Sequence, residues 1–131
     1  MIYSYNSPIE AIVSLETAYT EKSLEAVLAS KDFKTEALLI LQQSDYNYDV
    51  LDQKLIEETI KLLELSLIKS LNENGFPSFH NVRREFSDLE QINDNLYSIE
   101  ERLFYPNNEV YSNKIFLSFK DSVWKVAMIV E

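Results

Sequence analysis

Glu101 is the residue whose surroundings most invite chemistry. It stands in a stretch where apolar side chains alternate, Tyr97, Ile99, Leu103 and Tyr105, and it is the one charge of that parity. A carboxyl group set among apolar neighbours loses solvation, so its pKa rises and it becomes able to act as an acid or base. In the next alternating stretch only Asn113 interrupts Tyr111, Ile115, Leu117 and Phe119. A hairpin through Pro106-Asn107-Asn108 places Glu101 opposite Asn113. Glu101 is a catalytic candidate if that face looks into an open hollow, which Arg84, Tyr97, Asn113 and Trp124 are expected to line with it. The competing reading is structural, an ion pair of Glu101 with Arg84 or Lys114.

Other chemistry has less to stand on. His80 is the single histidine, in Phe79-His80-Asn81, and could carry a proton. No nearby acid marks it for a triad. No ligand spacing marks a metal site, and one glycine leaves no phosphate-cradling loop, so neither metal nor cofactor is expected. The absence of cysteine excludes disulfides and thiolate sites. Asp45-Tyr46-Asn47-Tyr48-Asp49 mixes two tyrosines with two acids in a loop, which makes Asp45, Tyr46, Tyr48 and Asp49 partner-binding candidates. The alternative is that the tyrosines pack down while the aspartates cap or turn.

The elements that position these residues follow from periodicity. Ser7-Pro8-Ile9-Glu10 opens a helix with a serine cap, a proline at its first position and a glutamate able to close a capping box. Ile9, Ile12, Val13, Leu15, Ala18 and Tyr19 continue it at helical spacing. Leu24 to Ala29 predicts a short second helix, and Asp32 caps a third over Phe33 to Gln43. The longest helix is expected from Val50 to Asn72 with Asp49 as its cap. Its wide apolar stripe predicts burial over much of its circumference, and Gly75 and Pro77 end it.

Beyond Pro77 the period changes to two. An impure first strand carries Val82, Arg84, Phe86 and Leu89, and cleaner strands span 96–105, 109–120 and 123–130. The short Asp121-Ser122 turn pairs Phe119 with Trp124, Leu117 with Val126 and Ile115 with Met128. The Pro106-Asn107-Asn108 loop sets Leu103 opposite Tyr111 and Ile99 opposite Ile115. Two separate loop lengths thus align one apolar face, on which Trp124, Val126, Met128 and Val130 all belong. On the other face Phe116, Ala127 and Ile129 could form a patch that seats a partner or a second copy. The expected class is α+β: helices, one of them long, packed on a bent antiparallel four-stranded sheet in a single domain over residues 1–131.

The order of elements resembles the nuclear transport factor 2-like, cystatin-like cone superfamily. The resemblance rests on Ser7-Pro8-Ile9-Glu10-Ala11 with Ala18-Tyr19, the stretch from Leu24 to Phe33, and the closing Asp121-Ser122-Val123-Trp124-Lys125-Val126. It implies a strongly bent sheet whose mouth is filled by the N-terminal half. Lys31 to Gln43 departs from the pattern, because it reads as helix where members usually have a short strand or hairpin. The superfamily includes isomerase- and cyclase-like enzymes, dehydratases, transport adaptors and bacterial immunity proteins that neutralise toxins, and fold alone does not choose among them.

Charge narrows the choice. The chain carries 22 acidic and 12 basic residues, a net charge of −10. Such a field repels phosphate backbones and anionic lipids and speeds encounter with basic partners. Nucleic acid and membrane are therefore not the expected partners. No run approaches the roughly 18 apolar residues that cross a bilayer, and Met1 to Asn6 lacks a signal-peptide pattern, so a cytoplasmic location is expected. The leading expectation is a non-catalytic acidic binding protein of the immunity type, facing a basic toxin. The alternatives are a small-molecule binder or isomerase/dehydratase-type enzyme with Glu101 in a cone pocket, and a homodimeric accessory protein.

Overall fold

The computed structural model describes residues 3–43 and 52–131. Four helices come first, α1 (Pro8–Thr20), α2 (Leu24–Ser30), α3 (Phe33–Gln43) and α4 (Gln53–Asn74). Strands β1 (Arg83–Phe86), β2 (Glu90–Gln91), β3 (Leu96–Phe104), β4 (Val110–Lys120) and β5 (Val123–Val130) follow. The sheet is antiparallel and open, in the order β1-β3-β4-β5, with the two-residue β2 pairing with β3 beyond the end of β1. The expected impure first strand is thus two pieces, and the strand count among the described residues is five rather than four.

Local signals account for most helix ends. The Ser7 hydroxyl accepts from the Glu10 amide at 3.1 Å. The capping box is not closed by Glu10, whose carboxylate instead accepts from the Ser4 hydroxyl at 2.9 Å. Asp32 caps α3 through the Thr35 amide at 3.0 Å. The long helix begins at Gln53 with Asp52 accepting from the Lys54 and Leu55 amides, and the expected start at Val50 and cap at Asp49 lie outside the described residues. Gly75 ends it at φ 81°, where a side chain would be strained.

The two hairpins set the register as expected across β3 and β4: Leu103 pairs with Tyr111, Glu101 with Asn113 and Ile99 with Ile115. Asn108 takes the left-handed position of the first loop at φ 72°. Between β4 and β5, Phe119 pairs with Trp124 and Leu117 with Val126, but the expected Ile115–Met128 pair is absent. Phe116 pairs with Met128 because Ala127 is an extra residue, a β-bulge that reverses the parity of all that follows. Met128 and Val130 therefore leave the inner face, and Ile129 joins Ile115 there.

The concave face is filled. Ile12 and Leu15 of α1, Val27 of α2 and Leu71 of α4 pack with Ile99, Ile115, Leu117 and Val126 in one core, with Phe86 and Trp124 against it. The opposite face is covered in part by α3: Leu39 packs with Leu96, Phe116, Ala127 and Met128. Of the patch expected to seat another molecule, Phe116 and Ala127 are thus met by the chain's own helix, while Ile129 lies on the inner face and is exposed. The wide stripe of α4 is not matched by equal burial. Only Ile56 and Leu71 are buried, and Leu62 and Leu65 stand 64% and 63% exposed, because the helix packs mainly on α3. Among the described residues no helix is long and apolar enough to cross a membrane.

Candidate functional site

Glu101 lies on the inner face of β3, 2% exposed. Its neighbour across the ladder is Asn113, whose Nδ2 donates to Glu101 Oε1 over a long 3.4 Å. The expected ion pair with Lys114 is not made. Lys114 points from the other face of β4, where its Nζ lies 5.4 Å from the centre of the Phe116 ring. Arg84 does face this region from β1, but its Nε donates to Glu16 of α1 at 2.5 Å.

Glu16 is the functional-site residue that sequence reasoning missed. A signal was present: Ile12, Leu15, Glu16 and Tyr19 fall on one helical stripe, so Glu16 is the charge on the buried side of α1. Burial pushes its carboxyl from an ordinary 4.5 up to about 9, helped by a hydrogen bond with Glu101 and the charge of Glu101, and opposed by Arg84. Glu101 Oε2 is buried without a hydrogen-bond partner. A neutral Glu16 carries no like charge against Glu101, and the Arg84 guanidinium lies against it, which makes burying these groups tolerable. Tyr105 stands near enough to have its phenol pushed up, first by burial and then by the charges of Glu16 and Glu101.

Tyr97 and Trp124 do not join this cluster. Tyr97 is four residues along β3 from Glu101, about 13 Å at the rise of a strand. Its ring meets Trp124 edge-on at 4.8 Å, and Trp124 stacks on Phe119 at 4.5 Å. The expected pocket set therefore separates into a polar end, Arg84, Glu101 and Asn113, and an aromatic end, Tyr97 and Trp124. His80 is exposed in the turn before β1. Asp45, Tyr46, Tyr48 and Asp49 fall outside the described residues. Among the described residues no group of three potential ligands could hold a metal.

Open space lies on the other side of the sheet. A depression of about 550 Å³ crosses the outer face, with Glu85, Glu100, Arg102, Ser112 and Lys114 on its walls and Glu101 and Asn113 among its lining residues. A smaller one of about 280 Å³ continues it past Asp88 and Glu90.

No protein-family model and no curated protein sequence matches the chain. A solved structure from Campylobacter jejuni, assigned by name only as an NTF2-like transpeptidase, superposes with a TM-score of 0.52 over 93% of this chain and 99% of that one, at 17% identity. That likeness covers the helices, the bent sheet and their order together, and so this chain has the nuclear transport factor 2-like fold.

Proposed function

We propose that this protein acts by binding another protein, a basic one, and that the toxin-neutralising immunity role is the member of this fold's repertoire it fits best. The observation that carries the reading is the filled hollow. Where a cone-pocket enzyme needs space for substrate, Ile12, Leu15, Val27 and Leu71 pack against the sheet, and the Glu101 side chain is buried on that filled inner face near Glu16. The polar cluster is then an internal brace, and recognition falls to the outside. There the net charge of −10 is expressed by exposed Glu85, Asp88, Glu90, Asp94 and Glu100 along β1, β2 and β3, with Leu89 and Ile92 exposed among them. An acidic rim around apolar contacts suits a basic protein and gives fast association at low salt.

The test is calorimetry of the purified chain against the products of neighbouring genes. A stoichiometric complex that weakens with salt, and by at least about tenfold when Glu85, Asp88 and Glu90 are changed to lysine, supports the reading. No partner, together with turnover of a small molecule that Glu101→Gln abolishes, sinks it.

A second reading keeps Glu101 in chemistry, and one observation favours it: Glu101 and Asn113 contribute to the lining of the outer depression. It requires a ligand there to reach the carboxyl group through the sheet. Transpeptidation, the activity in the structural neighbour's name, further needs an activated nucleophile. Here cysteine is absent and the lone histidine, His80, is exposed away from the strands.

A further inference from the structure

The acidic surplus is not spread evenly. A cavity of about 590 Å³ opens where the α2–α3 junction, the middle of α4 and the β4–β5 hairpin meet, and Lys31, Lys34, Lys120 and Lys125 all line it. These are four of the 12 basic residues of a chain with 22 acidic ones. Asp32, Glu64 and Asp121 share the walls, so the local balance of four cations to three anions opposes the sign of the whole molecule.

Two of the lysines are committed. Lys31 pairs with Glu36 at 3.5 Å, and Lys120 pairs with Asp32 at 3.4 Å while donating to the Thr35 hydroxyl at 3.0 Å. Asp32 is itself engaged, accepting from the Thr35 amide at 3.0 Å and the Thr35 hydroxyl at 2.7 Å. Lys34 and Lys125 have no carboxylate within 4.0 Å among the described residues. Lys125 is half-buried, standing beside the buried Ser118 on the outer face of the hairpin. The remaining walls are apolar: Leu28, Phe33, Ile60 and Val123. Two uncommitted ammonium groups against an apolar wall, in a space of the size small ligands occupy, describe a site with a charged end and a greasy one.

We propose that this cavity binds a small amphipathic acid, its carboxylate or phosphate head between Lys34 and Lys125 and its short apolar body against Leu28, Phe33, Ile60 and Val123. An ammonium is a compact charge with three donors and accepts either head. A long polyanion is disfavoured by the acidic surroundings, whereas a small anion meets mostly the local field. The site lies on the opposite face of the sheet from the side chain of Glu101 and does not depend on the partner-binding reading.

The test is a nuclear magnetic resonance titration of the full chain with octanoate, octyl phosphate, octanol and inorganic phosphate. Octanoate or octyl phosphate should shift the amides of residues 31–34 and 118–125 saturably, the tighter of the two naming the head group. Octanol and inorganic phosphate should each bind at least about tenfold more weakly. The paired change Lys34→Glu with Lys125→Glu should cost at least the same factor, and Lys125→Met, which keeps the apolar stem, should reproduce part of the loss in a gentler background. The proposal is overturned if octanol binds as well as octanoate, if inorganic phosphate matches octyl phosphate, if neither acid saturates, or if both sets of variants bind as the parent does.

Discussion

The concave face of the sheet has two ends, and they are held by different physics. At one end Tyr97, Phe119 and Trp124 pack ring against ring. At the other, Glu16, Arg84, Glu101 and Asn113 meet in a polar cluster. Apolar burial is non-directional, so the aromatic end tolerates small displacements and is indifferent to pH. The polar end needs every donor and acceptor in place, and its stability depends on how many protons it holds. The same face thus couples a forgiving contact to an exacting one. The exacting one joins α1 to two strands far from it in sequence, Glu16 with Arg84 and Glu101.

The sharpest way to break the contrast is Arg84→Met. It removes the guanidinium from two buried carboxyl groups and should cost about 2–4 kcal/mol at neutral pH, at the lower side of the range for a broken buried pair because the Arg84 side chain is 21% exposed. Urea unfolding of the variant and the parent at pH 7 reads that loss directly. Trp124→Ala should cost about 2–3 kcal/mol, somewhat less than for a fully buried tryptophan since this one is only partly buried. That loss should be the same at pH 5 and pH 9, and a pH-dependent loss would show the two ends to be coupled.

Glu16→Gln isolates the proton. The folded chain holds a proton on Glu16 across the interval from 4.5 to about 9, while the unfolded chain releases it above 4.5. More protons bound in the folded state means that stability falls as pH rises through that interval, by at most about 1.4 kcal/mol per unit, and levels off above it. Unfolding measured at pH 6, 7.5 and 9 should show this slope in the parent and a flatter one in the glutamine variant. The smallest effect is expected at the aromatic end's own turn. Asp121 and Ser122 both adopt positive φ, 54° and 64°. Ser122→Gly should stabilise by about 0.5–1 kcal/mol by relieving the left-handed strain, with no change in the pH slope.

Much of the fold was legible because the information is local. Ser7, Asp32 and Gly75 mark helix ends by groups that act within a turn. The Pro106–Asn108 and Asp121-Ser122 loops fix the ladder next to them, which is why Glu101 opposite Asn113 could be read in advance. The bulge at Ala127 could not, since it carries no turn residue. It sits beside the point where Lys31 bridges to Val126 and the Asp32 amide donates to the Val126 carbonyl, a contact from elsewhere in the chain. Nor could the exposure of Leu62 and Leu65, because an apolar stripe states what a helix can bury and not what the rest of the chain provides.

By itself, then, the sequence determined the element order, the β3–β4 register, the acidity and the presence of a charge on the sheet's apolar face. The tertiary structure alone decided what that charge meets. Glu16 is separated from Arg84 by 68 residues, and nothing within a helix or hairpin period brings them together. Only the packing of α1 into the bent sheet does. That packing fills the hollow, moves the open space to the outer face and gathers four lysines from the α2–α3 junction and the β4–β5 hairpin around one cavity. Periodicity records which side of an element is buried; the partner across the core is set by where the elements dock, and that is a property of the whole chain.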